Sequence, residues 1–225
     1  MIKIYTICYN EELLLPFFID WYKSRLDCEI VVYNNYSTDS SKEIALSKGC
    51  TVVDWDSGNQ IRDDLYLAIK NNCWKNHQGW VGIMDVDEIL DVYPESLTGT
   101  IVQGIGYNMV NLNDRIYLNE IKYGVRDIVY DKMFMFDTRH ISEINYEAGC
   151  HRANPVGNVE VSRANCYHFK YLSADYLVDR YKMYNERLSD INKEHKWGFQ
   201  YEAEEAYIRE HFEIMQKHEK LEKVR

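Results

Sequence analysis

Trp80-Val81-Gly82-Ile83-Met84-Asp85-Val86-Asp87-Glu88 is the stretch on which the fold turns. Its first five residues are apolar or small, too few for a helix and bounded by charge, and they read as a strand buried on both faces. The run stops at two aspartates one residue apart. Side chains alternate across a strand, so Asp85 and Asp87 are expected on one side and Val86 on the other. Open α/β sheets bind ligands outside the carboxyl ends of their parallel strands, which is where these carboxylates fall. Two like charges about 4 Å apart repel by roughly 4 kcal/mol at a near-surface effective dielectric. Keeping both ionised calls for a cation, and hard oxygen donors suit Mg²⁺ or Mn²⁺. The plain alternative is a solvated acidic turn after a strand, since Asp-x-Asp alone is common.

Upstream, strands and helices alternate. Residues 2–8 read as a strand, after which Asn10 can cap a helix, with Glu11 and Glu12 suited to the positive end of its dipole. Leu14, Phe17, Phe18 and Trp21 recur at helical spacing, and Pro16 is tolerable in a first turn. Residues 29–33 form a second strand, and Ser37-Thr38-Asp39-Ser40-Ser41 caps a helix carrying Ile44 and Leu46 that Gly49 closes. Residues 51–53 make a third strand, and Ile61, Leu65, Ala68 and Ile69 mark a third helix. Such alternation predicts a parallel sheet with right-handed crossovers. The polar strand ends Tyr9-Asn10-Glu11, Asn34 to Asp39 and Gln60-Ile61-Arg62-Asp63 open onto the same edge as Asp85 and Asp87. Each alone reads as a cap or turn; together they outline a crevice large enough for a nucleotide.

Downstream the character changes. Residues 107–112, 133–136 and 166–171 look like strands between irregular polar segments. After Ser173 the chain reads as helical, with core stripes Leu177, Tyr181, Tyr184, Leu188 and then Ile208, Phe212, Met215. Residues 217–225 alternate in charge sign, as on a solvated helix face. The net charge of −10 argues against nucleic-acid binding, which needs Lys and Arg to neutralise phosphates. Nineteen Tyr and five Trp against three Pro point to aromatic-lined surfaces. The densest apolar stretch, residues 13–19, is far short of the roughly 18 residues that span a bilayer. Six Cys without a Cys-x-x-Cys pair read as reduced thiols of a cytosolic protein. A metal cluster from Cys150-His151 and Cys166-x-His168 is the weaker alternative, because its spacing does not match structural zinc sites.

Cys8-Tyr9-Asn10-Glu11-Glu12, Asn35-Tyr36-Ser37-Thr38-Asp39-Ser40-Ser41 and Asp85-Val86-Asp87-Glu88 occur in the order and spacing of family 2 glycosyltransferases. Over nearly its whole length the chain resembles the small bacterial branch with a C-terminal His-Phe-Lys-Tyr-Leu segment, here residues 168–172. The resemblance implies the α/β fold called GT-A, with a mainly parallel central sheet flanked by helices and followed by C-terminal helices. It implies a catalytic domain over residues 1–172, with a nucleotide-sugar half at 1–90 and an acceptor half at 91–172, and a helical extension at 173–225. It further implies Mn²⁺ or Mg²⁺, a nucleoside-diphosphate sugar donor, and inverting transfer to a hydroxyl of a glycan or lipid-linked acceptor. Relatives of this branch build lipopolysaccharide or capsule, which implies a cytoplasmic protein with at most peripheral contact at the inner face of a membrane. Carried over by position, Tyr9, Asn10 and Glu11 would line the base and ribose pocket, joined by Asn35, Ser37, Asp39 and Arg62. Asn34 stands where many relatives have an acidic residue. Asp85 would lie near ribose and metal, Asp87 would bind the metal at the diphosphate, and His168 would complete that site or be a buried structural histidine.

Inverting transfer also needs a base, normally Asp or Glu, to take the acceptor's proton. The polar, turn-like segment 143–151 is the candidate region, with Glu143 preferred and Glu147 and Asp137 behind it. His151 can contact phosphate or acceptor, and Lys132, Arg139 and Arg152 are either cations for the diphosphate or solvated charges. Two rival readings stay open. A nucleotidyltransferase would use the same carboxylates, although Asn10-Glu11-Glu12 replaces the Gly-rich basic loop common in that class. A nucleotide- or carbohydrate-binding module would keep the fold without the chemistry.

Overall fold

In the computed structural model, which describes residues 1–225, the first half forms the expected alternation. Strands β1 (Ile2–Cys8), β2 (Cys28–Asn34), β3 (Thr51–Asp54) and β4 (Trp80–Ile83) pair in parallel in the order β3-β2-β1-β4. Helices α1 (Leu15–Lys23), α2 (Ser41–Ser47) and α3 (Asp63–Asn72) connect them. Ile4, Ile30 and Val32 pack with Leu15, Phe18, Ile19 and Tyr22 of α1 in the main core. Tyr5, Val31, Val81 and Ile83 join Trp74 in a second cluster. Burial against two such clusters is why these strands read as continuous apolar runs.

The second half extends the sheet from β4 with antiparallel neighbours. β8 (Met133–Asp137) pairs with β4, β6 (Ile101–Val110) with β8, and β7 (Tyr123–Arg126) with β6. β5 (Glu88–Leu90) and the long β11 (Val161–Tyr171) run antiparallel, and β11 lies parallel to β6. β9 (Ile141–Glu143) and β10 (Val156–Gly157) form a separate ribbon. β6 begins six residues before its expected start at 107, because Gly104 and Gly106 break the apolar pattern. Gly106 is there for closeness: a Cβ on it would stand 2.4 Å from Tyr130 Cβ, so only glycine lets the 127–131 turn lie on the sheet.

At the end come α4 (Ala174–Glu186), α5 (Asp190–Glu194) and α6 (Glu205–Gln216). Leu177, Ile208, Phe212 and Met215 pack with Val110, Val125 and Tyr171, and Tyr181 packs against them, whereas Tyr184 of the first stripe lines a cleft. No helix is long and apolar enough to cross a membrane.

Three local expectations are corrected. Asn10 is not a cap: α1 starts at Leu15, and Asn10, at φ 53°, accepts from Thr38 N (2.8 Å) and donates to Thr38 Oγ1 (3.1 Å) instead. Asp85 and Asp87 do not alternate on the strand, which ends at Ile83; they sit in a turn closed by Glu88 N donating to Asp85 O at 3.0 Å. The 217–225 tail is no helix: β12 (Glu222–Lys223) pairs with β7, and Arg225 lies over Trp21 while donating to Leu118 O.

Candidate active site

A cleft of about 410 Å³ opens at the carboxyl ends of β1 and β4, within the size range of small-molecule sites. The loop after β1 contributes Tyr9 and Glu11, α3 contributes Asp63, Tyr66 and Lys70, and the turn after β4 contributes Asp85 to Glu88. Tyr130, Lys132 and His168 come from the second half, and Arg180, Tyr184, Arg187 and residues 196–201 from the C-terminal region.

Charges in this cleft are held in pairs. Lys70 Nζ lies 2.6 Å from Asp85 Oδ1, and Lys132 Nζ stands 3.7 Å from Asp85 Oδ2 while binding Glu88 Oε1 at 2.5 Å. Arg180 forks onto Glu11 at 2.9 and 2.7 Å and also reaches Asp87 Oδ2 at 3.2 Å. Part of the positive charge that Asp85 and Asp87 call for thus comes from the chain, which supplies two ammonium groups and a guanidinium of its own. Desolvation opposes ionisation of Asp85, but Lys70 and Lys132 outweigh it and hold the carboxyl below its usual range. Asp87 is likewise held well below its usual value, burial being outweighed by His168 and Arg180. Glu88 goes the other way: burial pushes it up to about 7 despite Lys132. Burial lifts Glu11 to about 6 against Arg180.

His168 is buried and stacks on Tyr130 at 4.0 Å, with Nε2 3.6 Å from Asp87 Oδ2. No three His, Cys, Asp or Glu side chains stand close enough to hold an ion unaided. Asp87, His168 and the partly open Asp85 still suit Mn²⁺ or Mg²⁺, since these ions commonly take one or two protein carboxylates and complete their shell with substrate phosphates and water.

The other expected site residues fall into two groups. Tyr9, Glu11, Lys132 and His151 line the cleft, although the Arg187 guanidinium covers the Tyr9 ring at 3.2 Å. Asn10, Asn34, Asn35, Ser37, Asp39 and Arg62 do not line it, because their polar atoms tie loops together. Asn34 donates to Asp54 (2.7 Å), Asn35 to Ser57 (2.8 Å), and Ser37 Oγ accepts from Asn10 N (3.1 Å). Asp39 accepts from Ser41 N (2.9 Å), and Arg62 pairs with Asp64. None of the expected bases reaches the cleft: Glu143 bonds Lys75 at 2.9 Å on the surface, Glu147 is exposed, and Asp137 is buried against Arg139. Arg139 is thereby occupied, and Arg152 lies outside the lining.

Sequence reasoning missed Lys70, Tyr130, Arg180 and Arg187, and placed Asp63 in the crevice without giving it a role. For Arg180 a signal existed, since it stands three residues after Leu177 and so shares the inward face of α4. Arg187 is 5% exposed; Nε donates to Asn59 O at 3.3 Å, and Nη2 is buried with no partner.

No protein-family model matches the chain, and no curated protein does. Among solved structures, it is similar to glucosyl-3-phosphoglycerate synthase from Mycobacterium tuberculosis in complex with Mn²⁺, UDP and glucosyl-3-phosphoglycerate, at 20% identity and a TM-score of 0.36. That likeness covers 47% of this chain and 44% of the synthase, so the match spans less than half of that protein. The same enzyme with phosphoglyceric acid aligns over 82% of this chain and 76% of its own at 15% identity and a TM-score of 0.45. A further mycobacterial protein aligns over 85% and 76% at 12% identity and a TM-score of 0.47.

Proposed function

We propose that the cleft binds a nucleoside-diphosphate sugar with Mn²⁺ or Mg²⁺ and transfers the sugar, with inversion, to an acceptor hydroxyl. The observation that carries this reading is the meeting of Asp85 and Asp87, at the end of a parallel strand, with His168 on one cleft wall. The family 2 motifs support it, and they point to a bacterial surface glycan or its lipid-linked precursor as the acceptor. Residues 1–172 serve as the catalytic domain, and 173–225 as an extension that completes the cleft with Arg180 and Tyr184.

When bound, the ion supplies Lewis acidity to the leaving diphosphate. The chain does the rest. Asp87 stays ionised at neutral pH and, with His168, holds the ion. Arg187 and Lys196 line the cleft without a carboxylate partner, so Arg187 Nη2 and Lys196 Nζ are available for phosphate oxygens. Trp197, Phe199 and Tyr201 wall the open side with aromatic surface against which a sugar can pack.

Asp63 takes the acceptor's proton in this reading. No cation pairs with it; Oδ2 accepts from Asn192 at 3.0 Å, which leaves Oδ1 for a hydroxyl. Burial raises its carboxyl above the usual value, against the pull of Lys70, which makes it a better base. Asp63→Asn is expected to lower kcat by roughly 10²- to 10⁴-fold while donor affinity stays within a fewfold of wild type. A loss of donor affinity with unchanged kcat would make Asp63 a donor-binding residue instead.

The function itself is tested by incubating the protein with a panel of nucleotide sugars, with and without Mn²⁺. Metal-dependent release of nucleoside diphosphate is expected. Pyrophosphate release from a nucleoside triphosphate and a sugar phosphate would indicate a nucleotidyltransferase. Absence of any metal-dependent product would indicate a binding module.

A further inference from the structure

His168 is held by more than packing. In the β6–β11 ladder it stands beside Asn108, and its Nδ1 lies 2.7 Å from Asn108 Oδ1. The Asn108 amide cannot be turned over, because its Nδ2 donates to Asp127 Oδ2 at 2.7 Å and a carboxylate only accepts. Asn108 therefore presents oxygen to the imidazole, and Nδ1 must carry the hydrogen. In a neutral ring that leaves Nε2 as a bare acceptor. It faces Asp87 Oδ2, another acceptor, at 3.6 Å. Two acceptors so placed repel each other, and a cation seated between them relieves that repulsion.

The other end of this chain of bonds is equally fixed. Asp127 Oδ1 accepts from Val129 N at 3.0 Å and so starts the short 128–130 turn, whose Tyr130 ring lies on His168. One aspartate thereby sets the tautomer through Asn108 and the plane of the ring through Tyr130. All three polar groups lie on β6, β11 or the turn that Gly106 admits, so rigid elements hold the line.

We propose that Asn108 and Asp127 are positioning residues: they lock His168 in the Nδ1–H form so that Nε2 and Asp87 together make a cation-holding edge in the cleft. The inference rests on reading the cleft as a divalent-ion site, and it adds two residues that touch neither ion nor substrate. Outer partners of metal-binding histidines are typically worth about 10- to 100-fold in metal affinity.

Two measurements test it, one without metal. In metal-free protein labelled with ¹⁵N-histidine, the spectrum of His168 is expected to show a protonated Nδ1 and a bare Nε2. Asn108→Leu, which removes the acceptor but keeps bulk, is expected to lose that signature. Its affinity for Mn²⁺ in the presence of UDP, followed by the electron paramagnetic resonance of the free ion, should fall about 10- to 100-fold. Exchanging the partners, Asn108→Asp with Asp127→Asn, keeps an acceptor facing Nδ1 and a donor facing the new carboxylate. This double variant is expected to restore both the tautomer and Mn²⁺ affinity to within about threefold, and it serves as the test should Asn108→Leu fail to fold. An Nε2-protonated His168 in the wild type, or unchanged Mn²⁺ affinity in a folded Asn108→Leu protein, overturns the proposal. A wild type that shows the expected tautomer yet binds no Mn²⁺ overturns the ion-site reading, and with it the purpose assigned to these two residues.

Discussion

Asp87→Ala is expected to lower kcat/KM for metal-dependent nucleotide-sugar cleavage by about a thousandfold or more, equivalent to about 4 kcal/mol of transition-state stabilisation. The residue has two partners, and they respond differently to its loss. Toward the ion, Asp87 is the carboxylate that faces His168 Nε2 across 3.6 Å, and its removal leaves the imidazole alone on that edge. Toward the fold, it contributes only the third contact of Arg180, which stays forked on Glu11 at 2.9 and 2.7 Å. The loss should therefore fall on chemistry, with the melting temperature shifting by only a few degrees. Activity within tenfold of wild type in a folded Asp87→Ala protein would show that no ion is held there.

Lys132→Met is expected to be the most destabilising single change in the cleft, by about 3 to 5 kcal/mol, because it strands a buried carboxylate. Lys132 and Glu88 are both buried, whereas Asp85 keeps Lys70 as partner and so survives the change. The cost should depend on pH, and the sign can be worked out. Burial already lifts Glu88 from an ordinary 4.5 to about 7 with the ammonium in place, and without it the carboxyl rises further. Between those values the folded form binds more protons than the unfolded one, so stability is present at low pH and lost as pH rises through the folded value. Chemical denaturation should accordingly show Lys132→Met little affected at pH 5 and most affected above pH 8. Equal destabilisation at both would mean that Glu88 is not the group left bare.

The parallel half of the fold was legible because its strands are short, mostly apolar segments that alternate with helical patterns. β6 was legible only in part, because close approach of the 127–131 turn demanded Gly106, and that of Phe134 and Cys166 demanded Gly104, where the pattern asked for apolar residues. The Asp85 to Glu88 turn was visible because its residues are neighbours in sequence. Its counter-charges were not: Arg180 stands 93 positions from Asp87, and nothing local marks Lys70 as facing inward. The donor-side residues Asn10, Asn34 and Asn35 illustrate the opposite failure. Polar side chains after strands do gather at one edge, yet here they satisfy one another and their own backbones, which sequence alone does not distinguish from waiting for a ligand. Glu143 was chosen for a polar setting, and that setting turned out to be the surface beside Lys75.

The antiparallel pairing of β5 with β11 sets His168 directly opposite Glu88, and Phe169 N donates to Asp87 O at 2.8 Å. About eighty residues of chain intervene, so closing that loop costs about 4 kcal/mol of entropy before the first of these contacts can offset it. Contacts of that sequence separation form slowly. The parallel β1–β4 unit pairs segments close in sequence, whereas the carboxylates meet their histidine only through a contact about eighty residues apart. On the proposed reading, binding competence is expected to be a late event in folding, and a chain stalled before β11 docks would carry its acidic turn without His168.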